Sequence, residues 1–221
     1  DILLGSFDSQ AQMADAINLA RSIGAVAINN SWGYTNLNAT QPGYDSAFGG
    51  NGGATYLQAL RSYAAEGVVV FALRNDENLT RAGIMDGLPV LEPQLESGWI
   101  AVGNAVPEYD DTSIQSVERI SSACLESARW CLFADGAWES TTAGGGYEFS
   151  TGASFAAPQV SGALALLAEA FSGMGLTPHQ LRDRLLASAD NSFLDSFDGI
   201  LDFGNGVTHG FNEEFGHGFL D

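Results

Sequence analysis

The sequence predicts an α/β fold of three layers, in which a mostly parallel sheet lies between helices on both faces. The prediction rests on short apolar runs that alternate with segments of helical apolar spacing, and on polar residues that follow the strand-like runs. The 221 residues are 45% hydrophobic and 16% charged, which suffices for one sizeable core and argues against disorder. No repeat or long linker divides the chain, so residues 1–221 are predicted to belong to one domain.

The order of the predicted elements follows the apolar periodicity along the chain. Residues 11–20 have an apolar helical face that ends at Gly24, and residues 68–71 are a β-branched run typical of a buried strand. Residues 74–97 are predicted to be polar and irregular, and residues 106–146 to be rich in loops. The other predicted elements are strands at 2–7, 25–28 and 99–103, and helices at 54–65, at 154–171 and from Pro178 onward.

The chain is strongly acidic, with 8 Lys and Arg against 27 Asp and Glu and a formal net charge of −19. Such a charge repels phosphates and anionic membranes, so neither nucleic acid nor a lipid surface is an expected partner. A solvated acidic surface is the preferred interpretation of the charge. No apolar run reaches the roughly 20 residues of a transmembrane helix, and the first residues lack the features of a signal peptide.

Residues 150–158 (STGASFAAP) carry the clearest chemical signal. Ser154 lies at the start of a predicted helix, after Gly152 and other small residues that let a substrate backbone approach closely. Unpaired N–H groups at a helix start stabilise negative charge that develops nearby. A serine that only caps the helix would explain Ser154, but not the small residues and the proline around it.

This segment closely resembles the nucleophile motif of the subtilase family of serine proteases. The resemblance identifies Ser154 as the nucleophile and implies a subtilisin-like fold. Ala153 stands where the family usually has threonine, a departure that removes no catalytic group. The α/β-hydrolase motif is a poorer match, because it requires glycine two residues after the serine, where this chain has Ala156. Residues 215–221 (FGHGFLD) resemble the turn that closes the family's catalytic domain, so the resemblance covers nearly the whole chain.

Two further segments resemble the family in the expected order. Residues 68–76 (VVVFALRND) resemble the strand that ends in the oxyanion-hole asparagine, which implies that Asn75 and the Ser154 N–H stabilise the tetrahedral intermediate. Arg74 replaces the glycine that usually precedes this asparagine. Residues 27–33 (AINNSWG) resemble the strand whose edge pairs with the substrate backbone. The substrate-binding residues that these resemblances imply are Ser31, Trp32, Gly33, Ala72, Leu73 and Gly152.

Cys124 and Cys131 are the only cysteines. Their spacing permits a small disulfide loop and an even count suits an oxidising compartment, but the count alone leaves two buried free thiols open. Residues 128–134 (ARWCLFA) resemble bacterial autotransporter subtilases, which carry a cysteine pair at this place. That resemblance implies a disulfide and a secreted or cell-surface bacterial protein.

A serine nucleophile needs a base that accepts its proton and a carboxylate that orients the base. In the family the chain order is aspartate, histidine, serine, whereas His179, His209 and His217 all follow Ser154. These histidines are interpreted as structural or exposed. The resemblance therefore implies that residues 1–221 are the C-terminal part of the catalytic domain. An N-terminal segment or a separate chain would supply the aspartate and the histidine, and this chain alone would be inactive.

The function predicted from these motifs is that of a serine endopeptidase that cleaves a peptide or protein substrate through an acyl-enzyme. The main alternative is a subtilase-like module that binds peptides without cutting them, favoured by the missing histidine, Ala153 and Arg74. A different serine hydrolase, such as an esterase, is a third reading. No cofactor is expected to be required. Structural calcium is common in the family, but no ligand set is assigned, since Glu108, Asp110 and Asp111 are typical of a solvated turn.

Overall fold

The computed structural model describes residues 9–111 and 113–221, which contain five α-helices and nine strands. The strand predicted at 2–7 lies outside the described residues. The helices are α1 Gln10–Ser22, α2 Gln41–Phe48, α3 Gly53–Ala64, α4 Ala153–Ala170 and α5 Pro178–Ser188. The strands are β1 Ala27–Asn30, β2 Val68–Ala72, β3 Trp99–Tyr109, β4 Ile114–Arg119, β5 Cys131–Ala134, β6 Ala137–Thr141, β7 Tyr147–Thr151, β8 Gly199–Asp202 and β9 Thr208–Phe211.

A parallel sheet in the order β1, β2, β3, β5 forms the middle of the domain. Every residue of β2 is buried, because this apolar strand pairs with β1 on one side and with β3 on the other. The outer half of β3 pairs with β4 in the antiparallel sense, and β6–β7 and β8–β9 form two separate hairpins. The predicted three-layer, mostly parallel α/β architecture is confirmed.

An aromatic cluster connects the sheet to the helices. Phe71 of β2 stacks on Trp99 of β3 with ring centroids 5.3 Å apart, and it meets Trp32 edge-on at 5.7 Å. Trp32 in turn contacts Tyr56 of α3. Buried rings of this size contribute strongly to the hydrophobic stabilisation of a core. Helix α4 packs against β1, β2, β3 and β5, so the helix that carries Ser154 is anchored to the whole parallel sheet.

The prediction that residues 106–146 are rich in loops is wrong. This stretch contains the outer half of β3, all of β4, β5 and β6, and a 3₁₀ helix at Leu125–Trp130. Strands β4 and β6 are short and largely exposed, so they lack the continuous apolar run that marks a buried strand. Residues 74–97 contain no strand or α-helix, which agrees with the predicted irregular segment, but short 3₁₀ helices begin at Leu88 and Pro93. The segment is not polar throughout, since residues 82–89 are all buried.

Cys124 and Cys131 form a disulfide that encloses the 3₁₀ helix Leu125–Trp130. The C-terminal tail packs directly on this loop. A Cβ atom at Gly216 would lie 2.9 Å from Cys124 Sγ, and the N–H of His217 donates to the Cys131 carbonyl at 2.8 Å. The disulfide therefore lies beneath the tail and beside β5.

The three histidines are held by backbone carbonyls. His217 is fully buried, and desolvation lowers its pKa to about 3. Its Nε2 lies 3.1 Å from the Arg129 carbonyl, and its Nδ1 lies 3.1 Å from Nδ1 of His209. The Nε2 atom of His209 bonds a further carbonyl at 3.1 Å, and Nε2 of His179 lies 2.8 Å from the Ala64 carbonyl. These contacts give each histidine a structural role.

We expect His217 to make the domain less stable in acid. Its folded pKa lies below the ordinary value of 6.5, so the folded state binds fewer protons than the unfolded state. The contribution of His217 to the free energy of unfolding should therefore be fully present above pH 6.5 and should decrease as the pH falls towards 3. The loss at pH 4 should be roughly 3 kcal/mol.

Urea unfolding at several pH values would measure this effect. His217→Gln keeps a donor for the Arg129 carbonyl without titrating, and it should flatten this part of the stability curve. Parallel curves for the variant and the wild-type protein would contradict the assignment.

Candidate active site

Ser154 is the second residue of α4, and the turn before it is fixed by Gly152. The φ angle of Gly152 is 154°, a backbone conformation that residues other than glycine rarely adopt. Its N–H donates to the Gly136 carbonyl at 3.1 Å, and its own carbonyl accepts the Phe155 N–H at 2.9 Å. This turn leads from β7 straight into α4 and leaves Ser154 half-buried at the first helical turn.

Two hydrogen bonds connect Ser154 with Ser31, which follows the end of β1. Ser31 Oγ donates to the Ser154 carbonyl at 2.8 Å, and Ser154 Oγ donates to the Ser31 carbonyl at 3.3 Å. Asn29 Nδ2 donates to Ser31 Oγ at 2.9 Å, so the Ser31 hydroxyl is held from both sides. In the part of the chain that the structure describes, no histidine contacts the Ser154 hydroxyl.

The carboxamide of Asn75 is oriented by the start of α4. The N–H of Ala153 donates to Asn75 Oδ1 at 2.9 Å. Only the oxygen of a carboxamide accepts such a bond, so this contact identifies Nδ2 as the free donor. A Cβ at Gly152 would lie 3.2 Å from that Nδ2, so glycine is needed there for space as well. The Ser154 N–H belongs to the first helical turn and is a second donor without an intrahelical acceptor.

Asn104, a buried residue of β3, was missed by the sequence analysis. Its Oδ1 accepts the Gly136 N–H at 2.7 Å, and its Nδ2 donates to Thr151 Oγ1 at 3.1 Å. Since Gly136 also bonds Gly152, Asn104 connects the sheet to the turn that positions Ser154. A polar residue directly after a strand-like run was the available signal, because Asn104 follows the strand predicted at 99–103.

A pocket of about 440 Å³ opens beside Ser154 and Asn75. Its walls are the residues after β1, the end of β2 with the residues that follow it, and the buried segment around residues 84–86. Four of the predicted substrate-binding residues line it, namely Trp32, Gly33, Ala72 and Leu73. Ser31 and Gly152 lie outside this lining and contact Ser154 and Asn75 instead. The structure therefore brings all eight predicted catalytic and substrate-binding residues to one end of the sheet.

Three charged side chains line the pocket, namely Arg74, Asp76 and Asp86, and the sequence analysis placed none of them there. Arg74 Nη1 donates to the Thr35 carbonyl at 3.3 Å and Nη2 to the Arg81 carbonyl at 2.5 Å. Asp86 is only 4% exposed, and its Oδ2 accepts the Gly83 N–H at 2.9 Å. Desolvation raises the pKa of Asp86 to about 6, and the nearby positive charge of Arg74 opposes that rise.

A hydroxyl at a helix start, two N–H donors beside it and a pocket at the carboxyl ends of parallel strands define a serine-hydrolase type of site on an α/β sheet. The comparison with family models makes the assignment specific. The chain belongs to the subtilase family, whose model matches residues 4–218. The family and the fold expected from the sequence motifs are thereby confirmed, whereas the roles of individual site residues stay predictions.

Several known proteins are similar to this chain. Serotype-specific antigen 1 of Mannheimia haemolytica is 28% identical over 225 residues, which cover 93% of this chain and 23% of that protein. The chain thus spans about a quarter of the length of the curated relative that it matches.

Solved structures show the same fold. The prenylagaramide maturation protease PagA has a TM-score of 0.64 at 21% identity, over 99% of this chain and 68% of that one. The patellamide maturation protease PatA has a TM-score of 0.62 at 22% identity, over 96% and 66%. Fervidolysin from Fervidobacterium pennivorans has a TM-score of 0.59 at 21% identity, over 94% and 27%. At these identities the likeness establishes the fold alone.

Residues 9–111 and 113–221 have neither a metal-binding cluster nor a membrane-spanning helix. These residues contain no group of three or more His, Cys, Asp or Glu side chains that could hold a metal ion, so calcium remains an unassigned expectation. Glu108 lies in β3 and accepts the hydroxyl of Ser116 in β4, whereas Asp110 accepts the Ser113 N–H in the exposed turn between these strands. None of the helices described is long and apolar enough to cross a membrane.

Replacing Asn104 with leucine should lower the free energy of unfolding by roughly 1–3 kcal/mol. The buried Gly136 N–H and the Thr151 hydroxyl would both lose their partner. Thr151→Val is a matched control that removes only the second bond, at a residue that water can reach, and it should cost less. Denaturant unfolding would measure both variants. Equal stability of Asn104→Leu and the wild-type protein would contradict the anchoring role.

Proposed function

We propose that this chain is the nucleophile-bearing part of a serine endopeptidase that hydrolyses peptide bonds through an acyl-enzyme on Ser154. The observation that carries the proposal is the convergence of the Ser154 hydroxyl, the free Nδ2 of Asn75 and a pocket at one end of the sheet. Membership of a family of serine proteases supports the same reaction class.

The proposed reaction follows from this geometry. A peptide lies along residues 31–33 with one side chain in the pocket, and its carbonyl carbon is attacked by Ser154 Oγ. The oxygen of the tetrahedral intermediate receives hydrogen bonds from Asn75 Nδ2 and from the Ser154 N–H. Both donors are positioned before the reaction, because Ala153 fixes the carboxamide and α4 fixes the backbone. Little reorganisation is then needed as the negative charge develops.

The base and its orienting carboxylate come, in this proposal, from a histidine and an aspartate on an upstream segment or a separate chain. Among the described residues β1 pairs only with β2, and its residues are half-exposed where those of β2 are buried. A further strand at this edge would bury Ala27 and Ile28 and bring its own carboxyl end next to Ser31. Without that segment, the described residues offer a nucleophile and oxyanion donors but place no base beside the Ser154 hydroxyl.

We also propose that the protein acts outside the cytoplasm, either secreted or on a bacterial cell surface, and that its substrate is a peptide or protein. A disulfide between Cys124 and Cys131 suits an oxidising compartment. Similarity to a protein named as a serotype-specific antigen supports a location at the surface.

A peptide-binding module without catalysis is the second candidate. The observation in its favour is that the described residues place no base beside the Ser154 hydroxyl, which instead donates to a backbone carbonyl. Such a module would use the pocket and residues 31–33 in the same way, but its serine would be unreactive.

Labelling with a fluorophosphonate tests the reaction directly. In the complete protein we expect a covalent adduct on Ser154, detected by mass spectrometry of the labelled peptide. Ser154→Ala should abolish the adduct and reduce peptide hydrolysis by at least about 10⁴-fold. A Ser154→Ala protein that still cleaves peptides would overturn the proposal. Peptide binding without any adduct in the wild-type protein would favour the binding module.

Asn75→Ala should lower kcat by about 10²–10³ with little change in KM, the loss found for one such donor in subtilisin, another member of the family. The reason is that Nδ2 binds an oxygen whose charge appears only in the transition state. Glu77→Ala, at an exposed residue outside the pocket lining, is the matched control and should leave kcat unchanged. A rise in KM alone would show that Asn75 binds substrate instead.

A further inference from the structure

Three charged side chains line the pocket beside Ser154, namely Arg74, Asp76 and Asp86. Asp76 is exposed, and its Oδ1 accepts the Asn78 N–H, so water and salt screen its charge. Asp86 is almost completely buried, whereas Arg74 is half-exposed. The charge that a bound side chain meets inside the pocket is therefore that of the Arg74 guanidinium.

The guanidinium of Arg74 is fixed between two walls of the pocket. Nη1 bonds the Thr35 carbonyl in the segment after β1, and Nη2 bonds the Arg81 carbonyl at the start of the buried segment. The backbone of Arg74 is held as well, because its carbonyl accepts the Ser122 N–H at 2.8 Å. All three bonds are to backbone atoms on other segments, and the guanidinium cannot move aside without losing the two that it makes itself.

Arg74 and Asp86 converge on Gly83. A Cβ at Gly83 would clash with Asp86 Oδ1 and would lie 3.3 Å from Arg74 Nε, so only glycine leaves room for both groups. The carboxylate is thus close to the guanidinium but, at 4% exposure, out of reach of a bound side chain. Removal of the Arg74 side chain would open a path to it.

We propose that Arg74 is a specificity-determining residue, which excludes lysine and arginine side chains from the pocket and favours acidic or uncharged ones. This inference rests on the proposed function, because it names the substrate class of that site. A cationic side chain would face a fixed like charge in a partly desolvated pocket, with the neutralising carboxylate buried behind it. An acidic or amide side chain accepts hydrogen bonds from the guanidinium N–H groups that the two carbonyls leave free.

Peptide substrates that differ only in the residue before the scissile bond test the proposal in the complete protein. With the wild-type protein, kcat/KM for Glu and Gln peptides should exceed that for the Lys peptide at least tenfold. Arg74→Ala should raise kcat/KM for Lys at least tenfold and lower it for Glu by a similar factor. Arg81→Ala is the matched control: it removes an exposed arginine side chain outside the lining, keeps the carbonyl that anchors Arg74, and should leave the ratios unchanged.

Two further variants show whether a changed substrate preference comes from the charges of Arg74 and Asp86 or from a folding defect of Arg74→Ala. Asp86→Asn combined with Arg74→Ala should cancel the gain for the Lys peptide, because the gain depends on the uncovered carboxylate. Arg74→Gln keeps a donor for the wall carbonyls without the charge, and it should relieve the exclusion of lysine even if Arg74→Ala does not fold.

Fluorophosphonate labelling of Ser154 distinguishes a failure of the proposed function from a failure of the proposed role of Arg74. A wild-type protein that is neither labelled nor hydrolytic refutes the proposed function. A protein that is labelled and active, but whose Lys to Glu ratio is the same in the wild type, Arg74→Ala and Arg74→Gln, refutes the role of Arg74 alone. A wild-type preference for the Lys peptide refutes it as well.

Discussion

The backbone turn at Gly152 and Ala153 connects three parts of the molecule, and the geometry of the site depends on it. The Gly152 N–H bonds the loop after β5, the Gly152 carbonyl caps α4, and the Ala153 N–H holds the carboxamide of Asn75. The same few atoms therefore set the position of Ser154 and the direction of the Asn75 carboxamide, the proposed oxyanion donor. A shift of this turn would move Ser154 and release Asn75 together.

Support for this turn comes from polar groups buried within an apolar core. A buried amide is tolerated when its donors and acceptors are paired, and the Asn104 carboxamide meets that condition through Gly136 and Thr151. The backbone N–H of Asn104 donates in addition to the hydroxyl of Ser121. Each partner lies on a different segment around the site, so the hydrogen bonds that satisfy Asn104 also hold those segments together. The same hydrogen bonds of Asn104 therefore stabilise the domain and hold the turn that positions Ser154.

The pocket is supported in a comparable way by a remote part of the chain. The disulfide-closed 3₁₀ helix supplies the Glu126 carboxylate to the Ala82 N–H at 2.7 Å, while Ser127 and Trp130 both donate to the Asp86 carbonyl. The wall that contains Asp86 thus depends on a loop about 40 residues later, which the tail covers in turn. An irregular segment without strands is ordered because its backbone groups find fixed partners elsewhere.

The features that could be predicted from the sequence were those encoded locally. Helix α5 begins with a capping box between Thr177 and Gln180 and with Pro178 at its first position, and β2 is a β-branched run buried on both faces. Each of these elements can be recognised within a few residues of sequence. Helix α2 was missed because it is only eight residues long and has Pro42 and Gly43, typical turn residues, in its first turn. Asn104 was missed because its partners lie 32 and 47 residues away. The bridge made by Arg74 ends on backbone carbonyls, which every residue possesses, so no side-chain pattern reveals it.

Arg74 and Ala153 depart from the family motifs, and in both cases the backbone atoms that hold Asn75 are unaffected by the side chain. Arg74 replaces a glycine, but it has no positive φ, so the backbone there does not require glycine. The direction of Asn75 is set by the Ala153 N–H, a backbone group that is the same whether residue 153 is alanine or threonine. Both substitutions therefore leave the Asn75 carboxamide held by the Ala153 N–H, and neither is an argument against the proposed catalysis. Of the reasons for a non-catalytic binding module, the one that remains is that the described residues place no histidine beside the Ser154 hydroxyl.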